Sequence, residues 1–470
     1  AQGVNLTEPY FLQVDNSLQT NSDSYQEERV LWSYFGRLNY DFDQKYYLSA
    51  TVRYDGSSQL TPDENQDIFP AASVGWRLDR ENFFPVSESL INLLKFRASY
   101  GELGNINVLG PYDYVATMSR LDYTYSFANA KVNGSAISDF NNPYLIWEKK
   151  RTLDAGVDIA MFQGRLDFTF DWYRSETLGG HYGIPIPTQA GFTNANENFN
   201  ASTMVNSGLE FSAAYHYDEG PFKFDISANF TTLKNEVTAL GVSDLPQTNG
   251  TARTEVGREI GQFYGYVYEG IFQSQDEIDN RVNSEGASVI QNGAQPGDVA
   301  YADINNDGQI TNLDQAYLGS GLPDFNYGVN IRAEWKGIDL SIFTFGAGFQ
   351  VVDFVDVTLR SSYGALNKSV ELVDAWTPEN PSTTVPRVAN RPSGDITNDA
   401  FSSRFMQNAS YLRIANIQLG YNFPNKWFGD YISNARIYVT GQNLATISQY
   451  VGYNVDFSGG LYTPGYNYAS

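Results

Sequence analysis

The segment Ser33–Ser57, SYFGRLNYDFDQKYYLSATVRYDGS, alternates apolar and polar residues along two arms joined by a tight reversal. Tyr34, Leu38, Tyr40 and Phe42 interleave with Arg37, Asn39 and Asp41. Beyond DFDQK, Tyr46, Leu48, Ala50, Val52 and Tyr54 interleave with Ser49, Thr51 and Arg53. A period of two marks strands with one apolar and one polar face. The arms are also long, since strands of soluble sheets average about 5–6 residues. The segment therefore predicts a long hairpin and raises the question of what sheet it belongs to.

The same pattern recurs along the chain. Ala72–Leu78, Leu94–Tyr100, Leu153–Met161, Leu166–Trp172, Leu209–Tyr215, Phe222–Phe230, Tyr327–Trp335, Ile338–Ile342, Ala415–Phe423 and Ala435–Val439 all alternate, which with the first hairpin predicts 12 strands. The connections alternate too. Short reversals at 41–45, 79–91, 161–165, 217–221, 335–339 and 424–434 take turns with long loops at 57–68, 103–146, 178–204, 237–324 and 347–409. Short turns at one end and long loops at the other are the layout of an outer-membrane β-barrel. Loops of this length without secondary structure count against a compact soluble domain.

Composition agrees with a β-rich chain and excludes other classes. Aromatic residues make up 15% of the 470 residues, with 41 Gly and no apolar run long enough for a membrane-spanning helix. A net charge of -24 makes a nucleic-acid backbone a poor partner, and the absence of cysteine removes disulfides and thiolate metal sites. The first residues, AQGVNLTEPY, show no signal-peptide pattern, which leaves open a cytoplasmic chain or an internal segment of an exported one. Tyr40, Phe42, Tyr46, Tyr47, Trp335, Phe423, Trp427 and Phe428 gather beside the short turns, where a barrel carries its interfacial girdle. On the polar faces, Lys95, Arg97, Asp158, Asp167, Asp171, Lys223, Asp225, Arg332 and Glu334 suit either a solvated sandwich surface or a wide lumen, and periodicity alone does not separate the two.

One loop carries a metal-type spacing. In DINNDGQITNLD, residues 303–314, Asp303, Asn305 and Asp307 stand at positions 1, 3 and 5, Gly308 at 6, Gln309 at 7 with its carbonyl, and Asp314 at 12. This is the order of hard oxygen ligands in a calcium loop, closer to a dockerin than to a paired sensor, with Asp replacing the usual Glu at position 12. A bound Ca2+ would stiffen the loop about 296–320; the alternative is a metal-free Asp/Asn/Gly turn. Loop tyrosines form a candidate ligand surface for sugars or peptides: Tyr112, Tyr114, Tyr123, Tyr125, Tyr264 and Tyr266. Catalytic constellations are thin. The only histidines are His181 and His216, and the glycines of GAGFQ and EIGQFYG lack the strand-to-helix setting of a phosphate loop, so no enzyme is expected.

Several segments in series extend this reading: YFGRLNYDFDQKYYLSATVRYDGSS, FPAASVGWRL, LKFRASYGELGN, NPYLIWEKKRTLDAGVDIAMFQGRLDFTFDWYRSET, NSGLEF, GQFYGYVYEGIFQS, PGDVAYADINNDGQIT, GLPDFNYGVN, and YLRIANIQLGYNFP followed by ARIYVTGQNL. Together they resemble the SusC-like (RagA-like) TonB-dependent transporters over nearly the whole chain. The resemblance implies an all-β, antiparallel transmembrane β-barrel of 22 strands around an N-terminal plug, of which residues 1–470 correspond to the C-terminal part, strands 10 to 21, without plug, TonB box or final strand. It implies import of glycans, oligosaccharides or peptides across the outer membrane of a Gram-negative bacterium. The implied partners are a SusD-like surface lipoprotein, the TonB complex and the rest of the same barrel, in contact with outer-membrane lipid. On this orientation Leu48, Ala50 and Val52 face lipid and Ser49, Thr51 and Arg53 the lumen. A reading from a different class is a secreted carbohydrate-binding or hydrolase β-module with a dockerin-like calcium loop, which leaves the alternating loop lengths unexplained.

Overall fold

The computed structural model describes residues 27–115, 144–185, 196–241, 244–348, 370–388, 398–428, 432–452 and 454–456 continuously, with short stretches between them. Twelve strands form one antiparallel wall in chain order: β1 (Leu31–Phe42), β2 (Tyr46–Ser57), β3 (Gln66–Arg77), β4 (Ile91–Asn105), β5 (Glu148–Met161), β6 (Leu166–Pro185), β7 (Asn196–Tyr217), β8 (Phe222–Thr232), β9 (Phe325–Trp335), β10 (Ile338–Gly348), β11 (Tyr411–Phe423) and β12 (Ala435–Ser448). A short strand, Lys234–Leu240, also pairs with the upper part of β7. Among the described residues, β1 and β12 each pair on one side only, so the sheet is open.

The tight reversals form where the sequence places them, and their backbones explain the residues used. Asp43 and Gln44 both adopt positive φ (54° and 52°), as do Lys336 and Gly337 (49° and 88°). Turns of this hand match the twist of the flanking strands, and Asp, Asn and Gly suit them best. The expected loop at 178–204 is largely strand instead. β6 and β7 run on to Pro185 and from Asn196, with register shifts around Thr177, Gly180 and His181. Beyond the apolar band neither face of a strand needs to alternate, so the sequence signal fades while the ladder continues.

Register converts the alternation into two continuous faces. One hydrogen-bonded row runs Phe42, Tyr46, Trp76, Phe96, Val157 and Phe170, then through Phe211, Phe230, Tyr327, Gly346 and Leu412 to Ile447. It starts beside the first tight turn and ends near the far end of β12, a steady stagger that gives strands the tilt of a barrel. The row above it, Tyr40, Leu48, Val74, Ala98, Ala155 and Trp172, is equally apolar. Among the described residues nothing covers this face: Leu38, Val74, Phe96 and Val439 are 61, 55, 44 and 75% exposed. On β5 the apolar run extends from Met161 to Leu153, and the next outward row holds the charged residues Glu102, Arg151 and Glu176, with Arg151 and Glu102 in an ion pair of 3.0 Å. Nine residues at about 3.3 Å each, tilted by about 40°, rise about 23 Å, close to the apolar band of about 25 Å on outer-membrane barrels.

Candidate functional site

All nine charged residues of the predicted polar faces share the opposite side of the wall. Lys95 lies opposite Asp158, Asp225 opposite Arg332, and Lys223 opposite Glu334. Tyr47 belongs here too: it pairs with Asp41 and sits under the Lys95 ammonium, not in the girdle with Tyr46. Trp427 and Phe428, in contrast, pack on Phe423 beside a short turn. At the centre, Arg97 donates to Asp171 at 2.6 Å, to Asp158 at 3.3 Å and to Asp154 at 3.4 Å. Gly156 makes room for this approach, because a Cβ there would overlap the Asp171 carboxylate. One guanidinium serving three carboxylates leaves this patch net acidic, an arrangement suited to a hydrated interior and very costly against lipid.

Among the described residues, the long connection between β8 and β9 is folded. Residues 247–249, 252–254, 262–266 and 315–319 form a four-stranded sheet, and Tyr268–Ile271 pairs with Val299–Tyr301. This layer has its own core of Tyr266, Val289, Val299, Tyr301 and Ile310. It is tied to the following long connection by the Tyr266 amide on the Phe401 carbonyl and the Tyr268 amide on Ser403 Oγ. Leu60, Phe69, Ile106, Leu109, Leu145 and Trp147 make a separate cluster from two connections and the start of β3. The described parts of these loops therefore have cores of their own, which loop composition alone does not announce.

The described members of the candidate ligand tyrosines lie in different environments. Tyr266, the last residue of its strand, is buried in the layer's core against Tyr301, ring centres 5.1 Å apart. Burial and then the Asp314 charge raise its pKa. Tyr264, two residues earlier in that strand, is half-buried between Tyr317 and the Arg253 guanidinium. Burial, followed by the bond to Glu255, pushes the Tyr317 phenol far above its ordinary range. Tyr112 is exposed and Tyr114 half-buried in the turn after Leu109, distant in sequence from the other pair. Tyr123 lies outside the described residues. Tyr125 lies in the strand Thr124–Phe127, its side chain outside the described residues.

The calcium-type loop is closed around its first residues. Asp303 Oδ2 accepts from the Gly308 amide (2.9 Å) and from Asn283 (3.0 Å), while Asp303 Oδ1 is buried with no hydrogen-bond partner. Burial pushes the Asp303 carboxyl up, but the bonds from Asn283 and the Gly308 amide outweigh it and hold it below the usual range. Asn305 Oδ1 accepts from the Asp307 amide and Asp307 Oδ1 from the Gln309 amide, and Asn306 and Gly308 take the positive φ the turn requires. Asp314 is fully buried and accepts from the amides of Ile304, Asn305 and Thr311, the last bond completing a capping box in which Thr311 caps the turn 312–314. Among the described residues no three acidic or histidine side chains converge as a metal cluster, so an ion here would depend on Asn305 and a main-chain carbonyl as well.

Comparison with known proteins fits this wall. Residues 3–444 match the family model described as TonB dependent receptor-like, beta-barrel. The chain belongs to that family. TonB-dependent receptor P3 of Formosa agariphila is 33% identical over 442 residues, covering 91% of this chain and 42% of the relative. TonB-dependent receptor SusC of Bacteroides thetaiotaomicron is 28% identical, covering 93% of this chain and 42% of SusC. The structure of the RagAB peptide transporter superposes with a TM-score of 0.76 at 25% identity, covering 93% of this chain and 46% of that one. The chain thus spans under half the length of the relatives it matches. Family membership makes the apolar face a lipid face and the charged face a lumen face in an outer-membrane barrel. Its relatives are receptors and transporters, not enzymes, which sets aside the secreted hydrolase reading.

Proposed function

We propose that this chain is barrel wall and extracellular cover of a SusC-like importer, which takes oligosaccharides or peptides across the outer membrane with energy delivered through TonB. The carrying observation is the apolar row that crosses all twelve strands opposite a charged, hydrated face. The missing wall comes from other strands of the same protein, since an open edge in lipid leaves each backbone group without a partner at several kcal/mol apiece. A SusD-like surface lipoprotein closes the extracellular side, and release inward follows from the difference in ligand affinity between open and closed states. RagAB, a peptide transporter by name, supports the peptide side of this choice and SusC the family assignment. The test is uptake by the source bacterium with the gene deleted. Loss of TonB-dependent uptake of one glycan or peptide, with a surface lipoprotein co-purifying with the intact protein, is the expected result. Unchanged uptake across a glycan and peptide panel would sink the reading.

We further propose that the loop 303–314 holds Ca2+ as a structural ion, with Asp303, Asn305, Asp307 and the Gln309 carbonyl as its oxygens and Asp314 keeping the turn closed. The unpartnered Asp303 Oδ1 supports this reading. Chelation of the intact protein should expose residues 296–320 to protease and added Ca2+ should restore protection; no change would remove the ion from the model of the loop.

A further inference from the structure

The row of partners that runs Leu38, Ala50, Ala72, Tyr100 and Leu153 along the lipid face changes character when it reaches β6. It continues as Arg174, Ser207 and Lys234, three residues in direct register on β6, β7 and the short strand that pairs with β7. The rows climb toward the long connections as they cross the wall, so this is where the row leaves the apolar band. Two aromatic side chains mark the level. Trp172 stands two residues below Arg174 on the same face, and Tyr100, in the row itself, donates its hydroxyl to Glu102 at 2.5 Å, its polar end away from the band. Tyr and Trp take such positions at a membrane–water boundary. Neighbouring cations are neutralised within the protein: Arg151 pairs with Glu102 at 3.0 Å and Lys149 with Asp67 at 2.7 Å. Arg174, in contrast, is exposed and makes no hydrogen bond or ion pair with any described residue. Lys234, its side chain 75% exposed, has only Glu236 at 3.6 Å. Glu176 and Glu236 stand one row further out, on the water side, and leave the row open toward the membrane. An unpaired guanidinium is costly against acyl chains and tolerated among headgroups.

We propose that Arg174, Ser207 and Lys234 form a docking site for the phosphate headgroup of an outer-leaflet lipid. Directly paired residues of an antiparallel sheet lie about 5 Å apart, so the Cα atoms of Arg174 and Lys234 are about 10 Å apart and their long side chains reach one phosphate over Ser207. The guanidinium offers a planar pair of donors to two phosphate oxygens, the ammonium a point charge and the hydroxyl a further donor. A phosphate brings what the row lacks, acceptors and negative charge, and cationic side chains beside a membrane recognise anionic headgroups in this way. The acyl chains of the same lipid then run along Leu153 and Trp172, which are 45 and 38% exposed. A free anion meets the same donors but covers neither. The site belongs to the wall and is indifferent to what the barrel imports.

The experiment is native mass spectrometry of the purified full-length protein in detergent, titrated with diphosphoryl lipid A and with the same lipid stripped of its phosphates by hydrofluoric acid. The intact lipid should bind, and should lose about tenfold or more in affinity in the double variant Arg174→Gln, Lys234→Gln. Arg151→Gln, one row further out and engaged by Glu102, should bind as the parent does. Both positions of the double variant are exposed, and an unchanged melting temperature certifies the fold; the single change Arg174→Gln, with a smaller loss in the same direction, serves if the pair disturbs assembly. The stripped lipid should bind about tenfold or more weakly than the intact one, and millimolar inorganic phosphate should leave the bound lipid in place. Equal binding by parent and variants overturns the proposal, as does an absence of lipid binding or equal binding of intact and stripped lipid. Displacement by inorganic phosphate would reveal a site for the free ion and overturn the lipid assignment.

Discussion

Arg387 and Asp298, 89 residues apart in sequence, form a two-pronged ion pair of 2.7 and 3.1 Å around a carboxylate with no exposure to solvent. Asn398 donates to the same Asp298 Oδ1 at 3.1 Å, and the Gln295 amide donates to Oδ2 at 2.7 Å. The pair joins the two longest connections of the chain, those between β8 and β9 and between β10 and β11. It is a latch between covers, not part of the wall. Removing one partner of such a pair strands the other charge, at about 3–5 kcal/mol. Arg387→Ala should therefore open the extracellular layer to protease around 296–298 and 376–388 while the barrel keeps its heat-modifiable mobility on gels. Equal protection in variant and parent would show that the latch contributes nothing.

The two faces of the wall predict opposite responses to charge. Val74→Arg places a cation on the lipid face and should cost about 2–4 kcal/mol if it lies near mid-bilayer, seen as reduced abundance in the outer membrane. Ser73→Arg, one residue away on the charged face, should assemble normally. Equal tolerance of both would reverse the assignment of lipid and lumen for the first hairpin.

Gly104 lies against the Phe69 ring, and a Cβ there would overlap it. Phe69 in turn packs edge-on to Trp147 with ring centres 5.5 Å apart, in a cluster that pins two connections to β3. Gly104→Val should force Phe69 out at a cost of about 1–3 kcal/mol, as overpacking does. Tryptophan fluorescence of the purified variant should report a more solvated indole.

Asp303 sets a pH limit for its loop. Its carboxyl is held below the ordinary value, so it stabilises the folded loop fully above the unfolded value of about 3.9 and loses that contribution as pH falls through the lower, folded value. Proteolysis of the 296–320 segment by an acid-active protease should stay low from neutral pH down to about 4 and rise on further acidification. Asp303→Asn should flatten that step. Opening already between pH 5 and 6 would point to another group.

The wall was legible in the sequence because strand alternation is local: Leu48 and Ser49 differ in face by virtue of adjacency alone, and DFDQK and WKGID mark their own turns. Alternation also grouped the charged residues on one side before any register was known. What it did not reveal was the row of partners from Phe42 to Ile447, or the way β6 and β7 continue past their apolar stretch, since these depend on pairing between strands. The covers depended still more on tertiary structure. Tyr264 and Tyr266 read alike in sequence, yet one lies beside an arginine and the other is core, because the four-stranded layer has an inside only once residues 315–319 and the segment around Phe401 have docked. The pairing of Asp298 with Arg387 and the crowding of three aspartates on Arg97 have no local signature. Sequence alone determined which side of each strand is apolar, a matter of period two. Which charges meet, and which aromatic rings are buried, was decided by contacts between segments scores of residues apart.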